Sequence, residues 1–315
     1  MTFADWLREV REEFGQYPTV NVAKHAVHTF YLGGLRYVQR LLNRGTPHWD
    51  GDWDVLVICD ACRVDLLKEV CEMEKFEWLP KADEVDSIRS SGSTSDEWMD
   101  GMFCEEYFAE MRQTAYVSGN LFIQGHPYEE FAAYAEVPPE DMGEIYTVDP
   151  KQITERAVSI WRHRDELDVD RMIVHYFQPH TPFRSRPEWF DRERENRTDW
   201  GEGFARLRDG ELDAEEFREA YLDNVVWTME SVNELRRNVA DADIVVSADH
   251  GNGLGEYGVY GHPAEMPIDA VRRVPWMRLT GTDEGTISTE PPDAYLTHTT
   301  SQRNVEDHLE ALGYR

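Results

Sequence analysis

DIVVSADHGNG, residues 243–253, opens with a β-branched apolar run that is too short for a helix and ends in a carboxylate, Asp249. An apolar run without polar alternation suits a strand buried on both faces of a parallel sheet. Two further stretches have the same form: DVLVICD (54–60), ending in Asp60, and RMIVHYF (171–177), carrying His175 near its end. DSIRS (86–90), TAYVSGN (114–120) and VPWMRLTG (274–281) read as additional strands. Helical spacing separates them: ACRVDLLKEVCEM (61–73), a helix after Ser95 running through DEWMDGMFCEEYFAEMR (96–112), apolar residues at Ile153, Ala157, Ile160 and Trp161, a long helix over about 214–239, and VEDHLEALGYR (305–315) at the end. Strand and helix alternate, so the expected fold class is α/β: a three-layer sandwich around a mainly parallel, doubly wound sheet. Residues 46–315 read as one catalytic domain, 1–45 as a helical extension, and the polar stretch 184–213 as a substrate-loop insertion over the sheet's edge. Residues 120–150, with Pro127, Pro138 and Pro139, read as loop-rich.

Composition narrows the setting. The 315 residues carry 62 acidic and 32 basic side chains, a formal charge of −30. Lysine occurs only as Lys24, Lys68, Lys75, Lys81 and Lys151. Self-repulsion of that size is screened in concentrated salt. The balance therefore predicts a halophilic protein of archaeal type, working in a high-salt cytoplasm. It also argues against nucleic acid as a partner, since phosphates would be repelled. Cys59, Cys62, Cys71 and Cys104 form no disulfide framework; Cys59 and Cys62 make a CxxC that brackets Asp60 instead of opening a helix, which disfavours a redox pair. No apolar run approaches the ~18 residues of a membrane span. The acidic, amphipathic start MTFADWLREVREEF lacks the order of a signal peptide. Residues 18–43 are amphipathic and locally basic; packing against the main domain is favoured over peripheral membrane contact.

In doubly wound sheets, ligands bind outside the carboxyl ends of the strands. The polar residues gathered there are Asp60, Ser91 to Ser95, His175, His180, Asp249, His250 and, shortly after, His262. Carboxylate and imidazole together suit a divalent cation, and one between Asp60 and Asp249 would offset the cost of burying two acids. The glycines after His250 let that turn bend sharply. A hydroxyl at a helix start beside a metal can act as a nucleophile. Ser93, Thr94 and Ser95 meet that description, and Thr94 is the choice among them. His175 and His180 can ligate a second metal, protonate a leaving oxygen or bind a substrate oxyanion.

These motifs, in this order, resemble the alkaline phosphatase and sulfatase-like superfamily. DVLVICDACRVDLL is similar to its opening strand, whose first metal-binding Asp is followed by a small residue and Arg, here Asp60 and Arg63. HYFQPHTPF resembles its HxxxPHxPY segment, and VVSADHGNGLGEYGVYGH its SDHGExxGxxGxxGH segment. The resemblance implies a metal site of Asp60, Thr94, Asp249 and His250, with His180 and His262 at a second metal or at substrate, and Arg63 and His175 toward substrate. STSDE resembles the nucleophile segment of lipoteichoic acid synthases. No C/S-x-P-x-R motif of formylglycine sulfatases occurs near 90–96, and Gln178 stands where many relatives carry Asp.

The expected function is that of a metal-dependent hydrolase of phosphoesters, sulfate esters being the variant, through a covalent intermediate on Thr94. His180 acts catalytically, and the cofactor is one or two divalent ions of Zn, Mn, Mg or Ca. Two alternatives stand: a phosphotransferase to a lipid or glycan acceptor, and a catalytically silent metal-binding protein. Substrates are small-molecule, glycan-linked or lipid-linked phosphoesters. If the acidic surface is salt-adapted, the apparent melting temperature rises steeply between about 0.1 M KCl, where charges act over about 10 Å, and 1 M, where they act over about 3 Å. Thermal unfolding followed by circular dichroism checks this; a flat response would overturn it.

Overall fold

The computed structural model describes residues 30–37, 39, 45–190 and 202–299. Twelve strands occur among them: β1 (Val55–Cys59), β2 (Asp86–Arg89), β3 (Thr114–Ser118), β4 (Ala133–Glu136), β5 (Glu140–Met142), β6 (Ile145–Thr147), β7 (Arg171–Tyr176), β8 (Asp243–Ser247), β9 (Gly253–Leu254), β10 (Tyr260–Gly261), β11 (Arg273–Thr280) and β12 (His298–Thr299). Eight of them form one sheet in the order β12-β4-β3-β7-β1-β8-β11-β2. The five strands from β4 to β8 run parallel; β11 on one side and β12 on the other run against them, and β2, antiparallel to β11, again runs with the five. The principal helices are α1 (Val64–Cys71), α2 (Ser95–Met102), α3 (Pro150–Arg162) and α4 (Ala214–Arg236).

The pleat explains why β1 is apolar throughout. Val55, Val57 and Cys59 enter a core shared with Leu66 and Leu67 of α1, Ile153 and Ala157 of α3, and Val225 and Met229 of α4. Leu56 and Ile58 enter a second core with Trp98 and Met99 of α2. Helices thus cover both faces, a mixed α/β arrangement in three layers, and a strand between them has no wet side. Side-chain caps start the helices: Asp149 accepts from the Lys151 N–H, and Asp213 from the Glu215 and Glu216 N–H groups.

Several readings need correction. The loop-rich stretch 120–150 also holds strands the sequence did not show: β4 enters the parallel part of the sheet beside β3, and β5 and β6 pair as a hairpin. Ala133, Tyr134, Ala135 and Glu136 have little of the β-branched signature, so the strand is made by its neighbour and not by propensity. The helix over 95–112 breaks at Phe103 into α2 and a separate short turn, Phe108–Met111. The described ends of 184–213 are not a purely polar cover: Trp189 stacks on Phe217 with ring centroids 5.6 Å apart, and Phe204 packs edge-on against the same ring. Residues 191–201 and the helix expected over 305–315 lie outside the described residues.

Most of the 1–45 extension also lies outside them, but 30–37 is helical. Its Leu32 and Leu35 pack on Val259, Met266, Ile268 and Val271, and the Arg36 Nε donates to the Ala264 carbonyl at 3.2 Å. Among the described residues no helix is long and apolar enough to cross a membrane.

The turn before α2 has no spare room. A Cβ on Gly92 would lie 2.3 Å from the Trp98 nitrogen and 2.8 Å from the Thr94 oxygen. Gly92→Ala therefore forces the start of α2 to move, and overpacking of this kind costs about 1–3 kcal/mol. Chemical denaturation should show that loss, together with reduced activity; an unchanged midpoint would contradict the packing described.

Candidate functional site: a buried carboxylate and imidazole cluster

Parallel pairing brings the site together. β7 and β8 flank β1, with Ile58 opposite both His175 and Ser247, so the three strands end at one level. Asp60 follows β1 directly, and Asp249 lies two residues past β8. The turn after Asp60 places Ala61 at φ 63°, a left-handed conformation costly for alanine, and there its N–H donates to Asp249 Oδ1 at 3.0 Å. Asp249 Oδ1 also accepts from the His250 N–H at 2.8 Å. Asn120, just past β3, donates from Nδ2 to Asp60 Oδ2 at 2.8 Å.

One ligand atom each from Asp60, His175 and Asp249 lies within 4.8 Å of the others, and all three residues are buried. His250 joins them: its Nε2 is 3.7 Å from Asp60 Oδ1 and 3.5 Å from Asp249 Oδ2. Its Nδ1 donates to the Gly251 carbonyl at 3.0 Å, so Nε2 is the nitrogen turned to the carboxylates. Asp60 Oδ1 and His175 Nε2 have no hydrogen-bond partner. Burial and the adjacent Asp249 push the Asp60 carboxyl up. Burial holds the His175 imidazole down at about 4, so it stays neutral and does not compensate the acids. Two buried acids, two imidazoles and two orphaned ligand atoms fit a divalent cation.

The hydroxyl inside this cluster is Ser95. Its Oγ donates to Asp249 Oδ2 at 2.6 Å and lies 3.5 Å from Asp60 Oδ2 and 3.4 Å from His250 Nε2. Thr94, the sequence's choice, is the N-cap of α2, with Oγ1 accepting from the Glu97 N–H at 3.2 Å. The two residues belong to one turn, and the extended Thr94 backbone leaves the next side chain facing the carboxylates. The Ser90 hydroxyl donates to the Asp249 carbonyl, tying this turn to the end of β8. Glu97 ties it to the loop of His262: Oε2 accepts from the Ser93 N–H and hydroxyl at 2.8 and 2.7 Å, and Oε1 from the Glu265 N–H at 2.7 Å.

His180 and His262 form a pair of their own, Nε2 to Nε2 at 3.2 Å. His180 Nδ1 faces the Thr181 carbonyl at 2.9 Å and therefore holds a hydrogen, so His262 is the Nε2 donor of the pair. His262 also lies against His250, ring centroids 4.3 Å apart. Burial lowers His180 to about 4 and His262 well below its usual value. Two residues read toward substrate, His175 and Arg63, and the departure Gln178 have other partners in this geometry. His175 stands with the carboxylates, wholly buried, instead of facing substrate. The Arg63 guanidinium is engaged with Asp65 Oδ1 at 2.9 Å, Glu256 Oε1 at 2.8 Å and the Asn252 carbonyl at 2.6 Å, which straps the β1 turn to the loop after Asp249. Gln178 turns away from the cluster, its Nε2 donating to the Val148 carbonyl at 2.7 Å. Asn120, Tyr116 and Glu97 were missed; Asn120, at the end of TAYVSGN, was within reach of the same strand-end rule that found Asp60.

Without metal, the raised Asp60 carboxyl supports the fold only while protonated, so its contribution is lost as pH rises through that raised pKa. A bound cation removes the loss. The gap in thermal midpoint between metal-loaded and EDTA-treated protein should therefore widen as pH rises, and Asp60→Asn should abolish the widening. A gap independent of pH would rule out this account.

No family model and no curated protein matches the chain. Solved structures are similar to it. They include the soluble domain of lipooligosaccharide phosphoethanolamine transferase A from Neisseria meningitidis, at 12% identity and TM-score 0.44 over 72% of this chain and 75% of that one. The C-terminal periplasmic domain of a phosphoethanolamine transferase from Campylobacter jejuni is similar at 15% identity and TM-score 0.42, over 72% and 78% of the two chains. A 2-O GAG sulfatase is similar at 13% identity and TM-score 0.45, over 78% and 67%.

Proposed function

We propose that this protein cleaves phosphate or sulfate esters by a metal-dependent reaction in which a hydroxyl at the start of α2 becomes transiently esterified. The observation that carries the reading is the Ser95 Oγ, 2.6 Å from Asp249 Oδ2 and within 3.5 Å of Asp60 Oδ2 and His250 Nε2. Asp60, Asp249, His175 and His250 would hold the divalent cation, which when bound lowers the pKa of an adjacent hydroxyl and offsets negative charge on the transferring group. Asp249 Oδ2 receives the Ser95 proton as Oγ bonds to phosphorus or sulfur, and the ester oxygen leaves with the bonding electron pair and takes up a proton from water. The His262 Nε2–H, which donates to His180 in the free protein, would turn to an outer oxygen of the bound ester. Water then attacks the serine ester and restores the hydroxyl.

Ser95 takes the role assigned to Thr94 from the sequence, because Thr94 Oγ1 is engaged as the helix cap. Ser95→Ala is expected to lower metal-dependent ester hydrolysis in molar KCl by about 10³-fold or more, the scale at which a lost nucleophile or oxyanion donor is felt. Thr94→Ala should cost far less. Mass mapping of the trapped covalent adduct separates the two: an adduct on Thr94, or full turnover by Ser95→Ala, overturns the assignment. Product release that requires an added lipid or glycan acceptor would make the enzyme a transferase, and absence of turnover on a broad panel of phosphate and sulfate esters would leave a metal-binding protein.

A further inference from the structure

His175 differs from the other members of the cluster in how it is placed. Asp60, Asp249 and His250 lie on turns beyond strand ends, whereas His175 is inside β7, wholly buried. Its Nδ1 is 2.8 Å from the hydroxyl of Tyr116 on the neighbouring strand β3. In the register of that pair Ser118 lies opposite His175, so Tyr116 is its diagonal neighbour on the same face. The Tyr116 ring cannot swing away. It stacks on Phe131, ring centroids 5.0 Å apart, and on Tyr134 at 6.0 Å, with Phe103 edge-on at 5.2 Å. The Trp98 ring meets the His175 imidazole edge-on at 5.5 Å.

A held imidazole must put its other nitrogen somewhere. His175 Nε2 has no partner and lies 3.8 Å from Asp249 Oδ2, beyond hydrogen-bond reach. If the Tyr116 O–H donated to Nδ1, Nε2 would carry a buried hydrogen without an acceptor, which is disfavoured. If Nδ1–H donates to the Tyr116 oxygen, Nε2 presents a lone pair to the space among the carboxylates. That is the arrangement of a metal-ligating histidine whose far nitrogen is oriented by an oxygen partner.

We propose that Tyr116 and His175 form a nitrogen arm of the metal centre. Asp60, Asp249, His175 and His250 then select an imidazole-accepting ion, zinc or manganese, over calcium or magnesium, which prefer oxygen alone. This rests on the reading of the cluster as a metal centre given above. Tyr116 touches neither metal nor substrate; it is a positioning residue.

The test uses the full chain in molar KCl, stripped by chelator and titrated with zinc against a chromophoric competitor and with calcium by calorimetry. Wild type is expected to favour zinc by about 100-fold or more, and Tyr116→Phe to weaken zinc about 10- to 100-fold, the usual loss for an orienting partner, with calcium unchanged. X-ray absorption of the zinc-loaded wild type should count two imidazoles and His175→Gln one; this readout does not depend on Tyr116→Phe folding. Equal affinity for zinc and calcium, a single imidazole in wild type, or zinc binding within twofold of normal in Tyr116→Phe overturns the proposal. Asp60→Asn separates this failure from failure of the reading beneath it. If Asp60→Asn loses zinc and Tyr116→Phe does not, only the nitrogen arm is wrong; if Asp60→Asn binds as wild type, the metal centre itself is wrong.

Discussion

Two carboxylates share one buried space at the ends of neighbouring parallel strands. Asp60 is 1% exposed and Asp249 not at all. An uncompensated buried charge costs several kcal/mol even after the protein relaxes around it, roughly the scale of a small domain's whole stability. The surroundings only partly answer that cost. Asp249 is met by two backbone N–H groups and the Ser95 hydroxyl, Asp60 by Asn120, and one Asp60 oxygen has no hydrogen bond. Most of the site's architecture follows from keeping these two groups together and leaving a place between them for positive charge.

That task explains why so much polar bonding lies behind the cluster. Arg272, itself buried, donates from Nε at 3.1 Å to the Ser90 carbonyl, and so fixes the turn that leads to Thr94 and Ser95. His48 Nδ1 accepts from the Trp98 N–H at 3.1 Å, and its Nε2 lies 2.9 Å from the Ser247 hydroxyl, so the first helix of the site and the strand of Asp249 are pinned to one residue. Burial holds His48 at about 4, which keeps it neutral and its tautomer fixed. Glu97 performs the same service on the other side by joining the α2 turn to the loop that carries His262. Outside that loop, Leu32 and Leu35 of the helical residues 30–37 pack on Met266 and Ile268. The N-terminal helix is thus a buttress of the site's rim.

The sequence located β1, β7 and β8 because strands covered on both faces must be apolar throughout, a pattern independent of their neighbours. It missed β4, whose alanines pair with β3 only because a sheet edge was already there. It found Asp60, Asp249, His250, His180 and His262 by their position at strand ends and by motif order. It named Ser95 but preferred Thr94, since both sit at the helix start and nothing in the spacing says which hydroxyl turns inward.

What the sequence by itself determined is the layer architecture and the carboxyl-end location of the chemistry, because burial period and strand termini are local properties of the chain. What only the tertiary structure decided is which side chains share space. Tyr116 and His175 are far apart in sequence and meet through strand register; Ser95 faces Asp249 because α2 docks against β1 and β8; and Arg63 is withdrawn into an ion pair with Glu256 by a loop nearly two hundred residues on. Register, docking and loop return are long-range consequences of packing, and no residue carries them alone.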